Sequence, residues 1–150
     1  MQWFQHKRIL VPFDFSEACV EAVRVAVTLA ESPADVHVLH VLENLPPASP
    51  LAVWDPDADE HRKEKARSSM TEKLAQLNVT NLHLDVSIGN PARIVANLAE
   101  EISCGLIVIP SNSRSPLQRF FIGSVAERVV RLAPCPVLVL KDDDLPPETT

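Results

Sequence analysis

Between Ile109 and Val125 the chain gathers its densest set of groups able to hold an anion. These are the hydroxyls of Ser111, Ser113, Ser115 and Ser124, the Asn112 amide, and the guanidinium groups of Arg114 and Arg119. Such side chains bind phosphate through charge-assisted hydrogen bonds, and Asn112 tolerates a left-handed backbone. Ser124 and Glu127 stand at the Ser-x-x-Glu spacing of a capping box, which accounts for Ser124 without any ligand. Gly123 reads either as a turn before that helix or as a point where backbone approaches phosphate. A second candidate is Asp14, which follows the apolar run Ile9-Leu10-Val11 and can order the turn toward Ser16.

Other chemistries find little support. The Gly-x-Ser-x-Gly elbow of a hydrolase is absent, and Ser111, Ser113 and Ser115 have no identifiable base, so no nucleophilic triad assembles and no enzymatic activity is expected. His37, His40 and His83 read as separated on different strands and faces, without His-x-x-x-His or a carboxylate at ligand spacing, so packing rather than metal binding is expected. Cys19, Cys104 and Cys135 are widely spaced and odd in number, which argues against a disulfide framework or a Cys-x-x-Cys motif and for a reducing, cytoplasmic compartment. Cys135 lies between two prolines with no basic neighbour, so a reactive thiol is the lesser reading. A formal charge of −6 argues against nucleic-acid binding. No apolar run approaches the roughly 18 residues a membrane span needs, and MQWFQHKR lacks the apolar core of a signal peptide.

The elements that must position these groups alternate along the 150 residues. A buried strand from Arg8 ends at Pro12. Ser16 caps a helix running to about Glu31 with Cys19, Val23, Ala26 and Ala30 on its inner face. Val36 to Leu42 is a second strand. Four prolines exclude regular structure from Glu43 to Pro56, a lid-like or partner-facing stretch. A polar helix then runs from Asp57 to about Leu77 with a seam of Ala66, Met70, Leu74 and Leu77, and an Asp59/Lys63 pair outside. Leu82, Leu84 and Val86 alternate with polar residues, as in an edge strand. Gly89-Asn90-Pro91 turns into a helix buried through Ile94, Val95, Leu98 and Ile102. Leu106 to Ile109 is a fourth strand, a last helix is buried through Val125, Val129 and Leu132 and stops at Pro134, and Val137 to Leu140 is a fifth strand. The tail 141–150 is acidic and expected to be disordered. This alternation makes a single α/β domain with a parallel sheet and helices on both faces, its strand order open.

From Lys7 to Leu140 the chain resembles the universal stress protein family, most specifically in LIVIPSNSRSPLQRFFIGSVAERVVRLAPCPVLVL from Leu106 to Leu140. Nucleotide-binding members carry Gly-x2-Gly-x9-Gly-Ser/Thr after the fourth strand, and the corresponding residues here are Pro110, Ser113, Gly123 and Ser124. The resemblance implies one domain over residues 1–140, an open five-stranded sheet of order 3-2-1-4-5, and an adenine nucleotide alpha hydrolase-like fold. Carried over by position, the nucleotide pocket comprises Pro12, Phe13, Asp14, Val41, Ile109, Pro110, Ser113, Gly123, Ser124 and Val125. Asp14 would hold a ribose hydroxyl or a metal-bound water there, beside its alternative role in the turn.

Two motif positions depart from the family. Pro110 has no N–H to donate, and Ser113 adds a Cβ where glycine leaves room for phosphate. Together these remove about 2 to 4 kcal/mol, enough to take a micromolar ligand toward millimolar. No cofactor is therefore expected, with ATP the alternative ligand. The resemblance also implies a homodimer through antiparallel pairing of the fifth strands, Val137, Leu138, Val139 and Leu140, whose apolar edge invites a partner. The expected function is a non-enzymatic stress-response protein acting through protein contacts, its protein partner unnamed. An ATP-binding switch that orders its loops, with at most very weak hydrolysis, is the alternative.

Overall fold

In the computed structural model, which describes residues 8–111 and 123–141, every strand pair is parallel. Strand β1 (Arg8–Pro12) lies at the centre, flanked by β2 (Val36–Leu42) and β4 (Cys104–Pro110), with β3 (His83–Ile88) and β5 (Val137–Leu140) at the edges. The order is therefore 3-2-1-4-5. The run Ile9-Leu10-Val11 is apolar at every position because both of its faces are covered.

Helices α1 (Glu17–Leu29) and α3 (Ala58–Leu74) cover one face, and α4 (Pro91–Glu101) and α5 (Ser124–Leu132) cover the other. On the first, Val20, Val23 and Ala26 meet Val11, Val38 and Val108, and the expected α3 seam of Ala66, Met70 and Leu74 closes the layer. Leu77 joins it from a 3-10 turn, Ala75–Leu77, that finishes the helix. On the second, Val95 and Ala99 of α4 and Ala126 and Val129 of α5 pack on Leu10, Leu39, Ile107 and Ile109.

Local cap chemistry sets several boundaries. The Ser16 hydroxyl accepts from Cys19 N at 3.2 Å, and the Asn90 side chain accepts from Arg93 N at 3.2 Å ahead of Pro91. Gly89, at φ +143, makes the turn before that cap in a conformation L residues rarely adopt.

Several expectations are corrected. The proline-rich stretch contains a five-residue helix, α2 (Pro50–Trp54), because Pro50 occupies its first turn, where no backbone donor is needed. On α3 Asp59 pairs with Arg62 and Lys63 with Glu60, each three residues apart, rather than Asp59 with Lys63. In α5 the buried residues are Ala126 and Val129, while Val125 (42%) and Leu132 (46%) are exposed, since the helix rests on its small alanine side. His37 and His83 are register partners on adjacent strands, their rings stacked 4.5 Å apart, and Asp85 lies 3.4 Å from His37 Nδ1. The tail beyond Lys141 lies outside the described residues.

Candidate functional site

Strands β1 and β4 are neighbours whose following helices lie on opposite faces, so their C-terminal ends open at the topological switch point of the sheet. After Pro12 the chain stays on β2 for one more residue, Phe13 N donating to Leu39 O at 2.8 Å. Asp14 is exposed, and its Oδ1 accepts from Ser16 N at 2.9 Å, so the turn-ordering role read from the sequence is present. Phe15 completes this turn at φ 69, a left-handed conformation that is uncommon for a bulky residue. Its ring meets Phe13 edge-on at 5.1 Å and His40 at 4.8 Å. His40 Nδ1 donates to the Phe13 carbonyl at 2.7 Å and ties β2 to the turn.

Phe13 itself is buried in the α1/α3 core. An aromatic group of Phe13, Phe15 and His40 therefore fills the α1 side of the switch point. Cys19 packs in the same core, its Sγ 3.5 Å from Pro12 O, and burial pushes its thiol up to about 12.

The β4 side is built differently. Ile109 and Pro110 are buried, and Pro110 pairs with Leu140 in register. Ser111, also buried, donates its N–H to Leu140 O at 2.9 Å and accepts from Gly123 N at 2.8 Å. The two ends of the 112–122 segment are thus pinned to one point at the mouth of the site. Ser113 lies outside the described residues, as do Asn112, Arg114, Ser115 and Arg119.

Gly123, rather than Ser124, is the cap of α5. Its carbonyl accepts from Glu127 N at 2.9 Å, and among the described residues no side chain caps the helix. The capping box expected of Ser124 and Glu127 is not formed. Ser124 is already the first helical residue, and Glu127 turns instead to Arg131 at 2.8 Å. The pinning of Gly123 by Ser111 sets this phase. The amides of Ser124, Val125 and Ala126 therefore have no acceptor inside the helix, the arrangement that favours an anion. Gly123 sits at φ −57 and ψ 154, which any residue adopts.

The structure brings Pro12, Phe13, Asp14, Ile109, Pro110, Gly123 and Ser124 to the C-terminal ends of β1 and β4. Val125 is exposed on α5, and Val41 is part-buried one strand away, toward the α4/α5 face. Phe15 and His40 are the participants that sequence reasoning did not assign, since Phe15 owes its place to backbone conformation and His40 to a contact across the sheet, while Ser111, named for its hydroxyl, takes part through its backbone N–H and carbonyl. Among the described residues no group of three or more His, Cys, Asp or Glu side chains is placed to hold a metal ion, and no helix is long and apolar enough to cross a membrane.

An open parallel α/β sheet with its crevice at the β1/β4 switch point defines the class. Residues 5–141 match the Universal stress protein family, and the chain belongs to it. A universal stress protein of Methanocaldococcus jannaschii is 33% identical over 143 residues, 91% of this chain and 82% of the relative. A putative universal stress protein of Staphylococcus aureus is 30% identical over 146 residues, 94% of this chain and 87% of the relative. Among solved structures, the universal stress protein UspA from Lactobacillus plantarum superposes with a TM-score of 0.64 at 26% identity, covering 91% of this chain and 98% of that one. A universal stress protein solved in complex with cAMP gives 0.59 at 17% identity over 89% and 97% of the two chains, a likeness of fold. The sheet is the adenine nucleotide alpha hydrolase-like arrangement these neighbours share.

Proposed function

We propose that this universal stress protein is a non-enzymatic homodimer that works through protein contacts and whose nucleotide pocket has degenerated. The observation that carries the reading is Pro110, buried at the mouth of β4 where nucleotide-binding relatives present glycine, with no N–H to offer and a fixed φ. The aromatic group opposite, Phe13 against Phe15 against His40, adds to it by filling volume an adenosine would need. Calorimetric titration with Mg-ATP is expected to give no dissociation constant below about 100 μM. Protein purified without added nucleotide is expected to release none on denaturation, judged by absorbance and chromatography of the supernatant. A low-micromolar constant or stoichiometric nucleotide refutes the reading.

The dimer forms through β5. Among the described residues this strand has a partner on one side only, and Leu138 on it is partly exposed (37%). Val139→Lys is expected to convert dimer to monomer in light scattering, and an unchanged mass rejects this interface. The odd number and wide spacing in sequence of the three cysteines support a reducing, cytoplasmic location.

One observation favours a second reading, an ATP-binding switch. Among the described residues no side chain caps the start of α5, and Asp14 is exposed just past the end of β1. A relative of the same fold was solved in complex with cAMP, which is in keeping with this reading. Pro110→Gly with Ser113→Gly restores the family motif and separates the two readings. A gain of about tenfold or more in ATP affinity means that only the motif was lost, and no gain places the obstruction at Phe13 and Phe15.

A further inference from the structure

We infer that Cys104 and Cys135 form an oxidative modification site, a thiol pair that closes to a disulfide across the N-terminal ends of β4 and β5 on exposure to a low-molecular-weight disulfide. The backbone brings the pair together. Ser103 takes a left-handed φ of 52, and the register with β1 shifts between Arg8↔Cys104 and Ile9↔Leu106, so Gly105 is an extra residue in β4. This irregularity turns Cys104 toward the α4/α5 face, which it shares with Ile107. On β5, Ile107 is the register partner of Val137 and donates to Pro136 O at 3.0 Å, which places Cys135 beside the start of β4. Both cysteines pack in the same cluster, and Cys135 lies near enough to Cys104 to contribute to the raised pKa of its thiol. Neighbouring strands lie about 4.8 Å apart, and a disulfide needs Cα atoms roughly 4.4 to 6.8 Å apart, so closure requires little backbone movement.

The two thiols have different parts. Cys104 is buried, its Sγ–H donates to Leu106 O at 3.0 Å, and burial pushes its thiol up to about 12. Cys135 is only half-buried, between two exposed prolines, and meets solvent first. With oxidised glutathione as the oxidant, the Cys135 sulfur attacks one glutathione sulfur. A mixed disulfide forms, the glutathione S–S bond breaks, and one glutathione leaves as the thiol with the Cys135 proton. The Cys104 sulfur then attacks the Cys135 sulfur, displacing the second glutathione, which leaves with the Cys104 proton. Two protein thiols and one disulfide become one protein disulfide and two glutathione thiols. The closed loop runs from residue 104 to 135, so it encloses α5 and the hydrogen bond between Gly123 and Ser111.

The test incubates the full chain with oxidised glutathione, denatures it, alkylates free thiols and measures the intact mass. Of three cysteines, one, Cys19 on the opposite face, is expected to remain alkylatable, and peptide mapping should join Cys104 to Cys135. The mixed adduct should stay below about a tenth of the disulfide, because the neighbouring thiol resolves it. Cys104→Ala should stop at a stable glutathione adduct on Cys135, and Cys135→Ser should leave two alkylatable thiols. Dithiothreitol should restore three. Three alkylatable thiols after treatment, a lasting Cys135 adduct in the unsubstituted chain, or a bond to Cys19 or to a second chain would each overturn the inference.

Discussion

Moving the α5 cap from Ser124 to Gly123 reverses what substitutions at these two positions should do. Ser124 is the first helical residue and its hydroxyl caps nothing, so Ser124→Ala should change stability by less than about 0.5 kcal/mol. At Gly123 the backbone, φ −57 and ψ 154, accepts any side chain, and the uncapped amides of the first turn face it. An aspartate there supplies the missing acceptor, worth about 1 kcal/mol over alanine, and its charge beside the positive helix end adds about 0.5 kcal/mol. Gly123→Asp should therefore exceed Gly123→Ala by about 1.5 kcal/mol. For a chain of this size that is a melting-temperature difference of about 3 to 6 °C, within reach of circular dichroism or calorimetry. The same aspartate repels phosphate, so any weak ATP or phosphate binding should disappear in Gly123→Asp and persist in Ser124→Ala. Equal melting temperatures for the two Gly123 variants, together with a loss of about 1 kcal/mol in Ser124→Ala, would refute the assignment and return the cap to Ser124.

Gly89→Ala should cost about 2 kcal/mol, read as a lower melting temperature, because alanine is strained at φ +143 and its Cβ would lie 2.9 Å from Ile94 Cδ1. An unchanged value would mean that the turn has another conformation open to it. His61 Nδ1 lies 2.8 Å from Asp55, and this hydrogen bond raises the His61 pKa above 6.5 and lowers that of Asp55 below 3.8. The His61 contribution is present below its unfolded value and lost as pH rises through its raised one. The Asp55 contribution is present above its unfolded value and lost as pH falls through its lowered one. The pair should therefore hold α2 to α3 best between about pH 4 and 6.5. Asp55→Asn should lower the His61 midpoint in an NMR titration, and an unmoved midpoint rejects the contact.

Much of this protein was legible in its residues because the interactions concerned are local. Ile9-Leu10-Val11 is apolar at three successive positions, which only a doubly covered strand requires. Asn90-Pro91 and Ser16 mark helix starts through bonds that span three residues. The pattern Gly123-Ser124 after a fourth strand, with the following helix and strand, was enough for the family. Where partners are distant in sequence, only the tertiary structure decided. Ser124 and Gly123 compete for one cap, and the winner is set by a hydrogen bond from Gly123 to Ser111, whose position depends on Leu140 of another strand. His37 meets His83 through a register formed across 46 residues, and a one-residue irregularity in β4 turns Cys104 toward Cys135. Side chains alternate faces at every residue, so a single slip in pairing changes which groups meet. That pairing is chosen by the whole sheet.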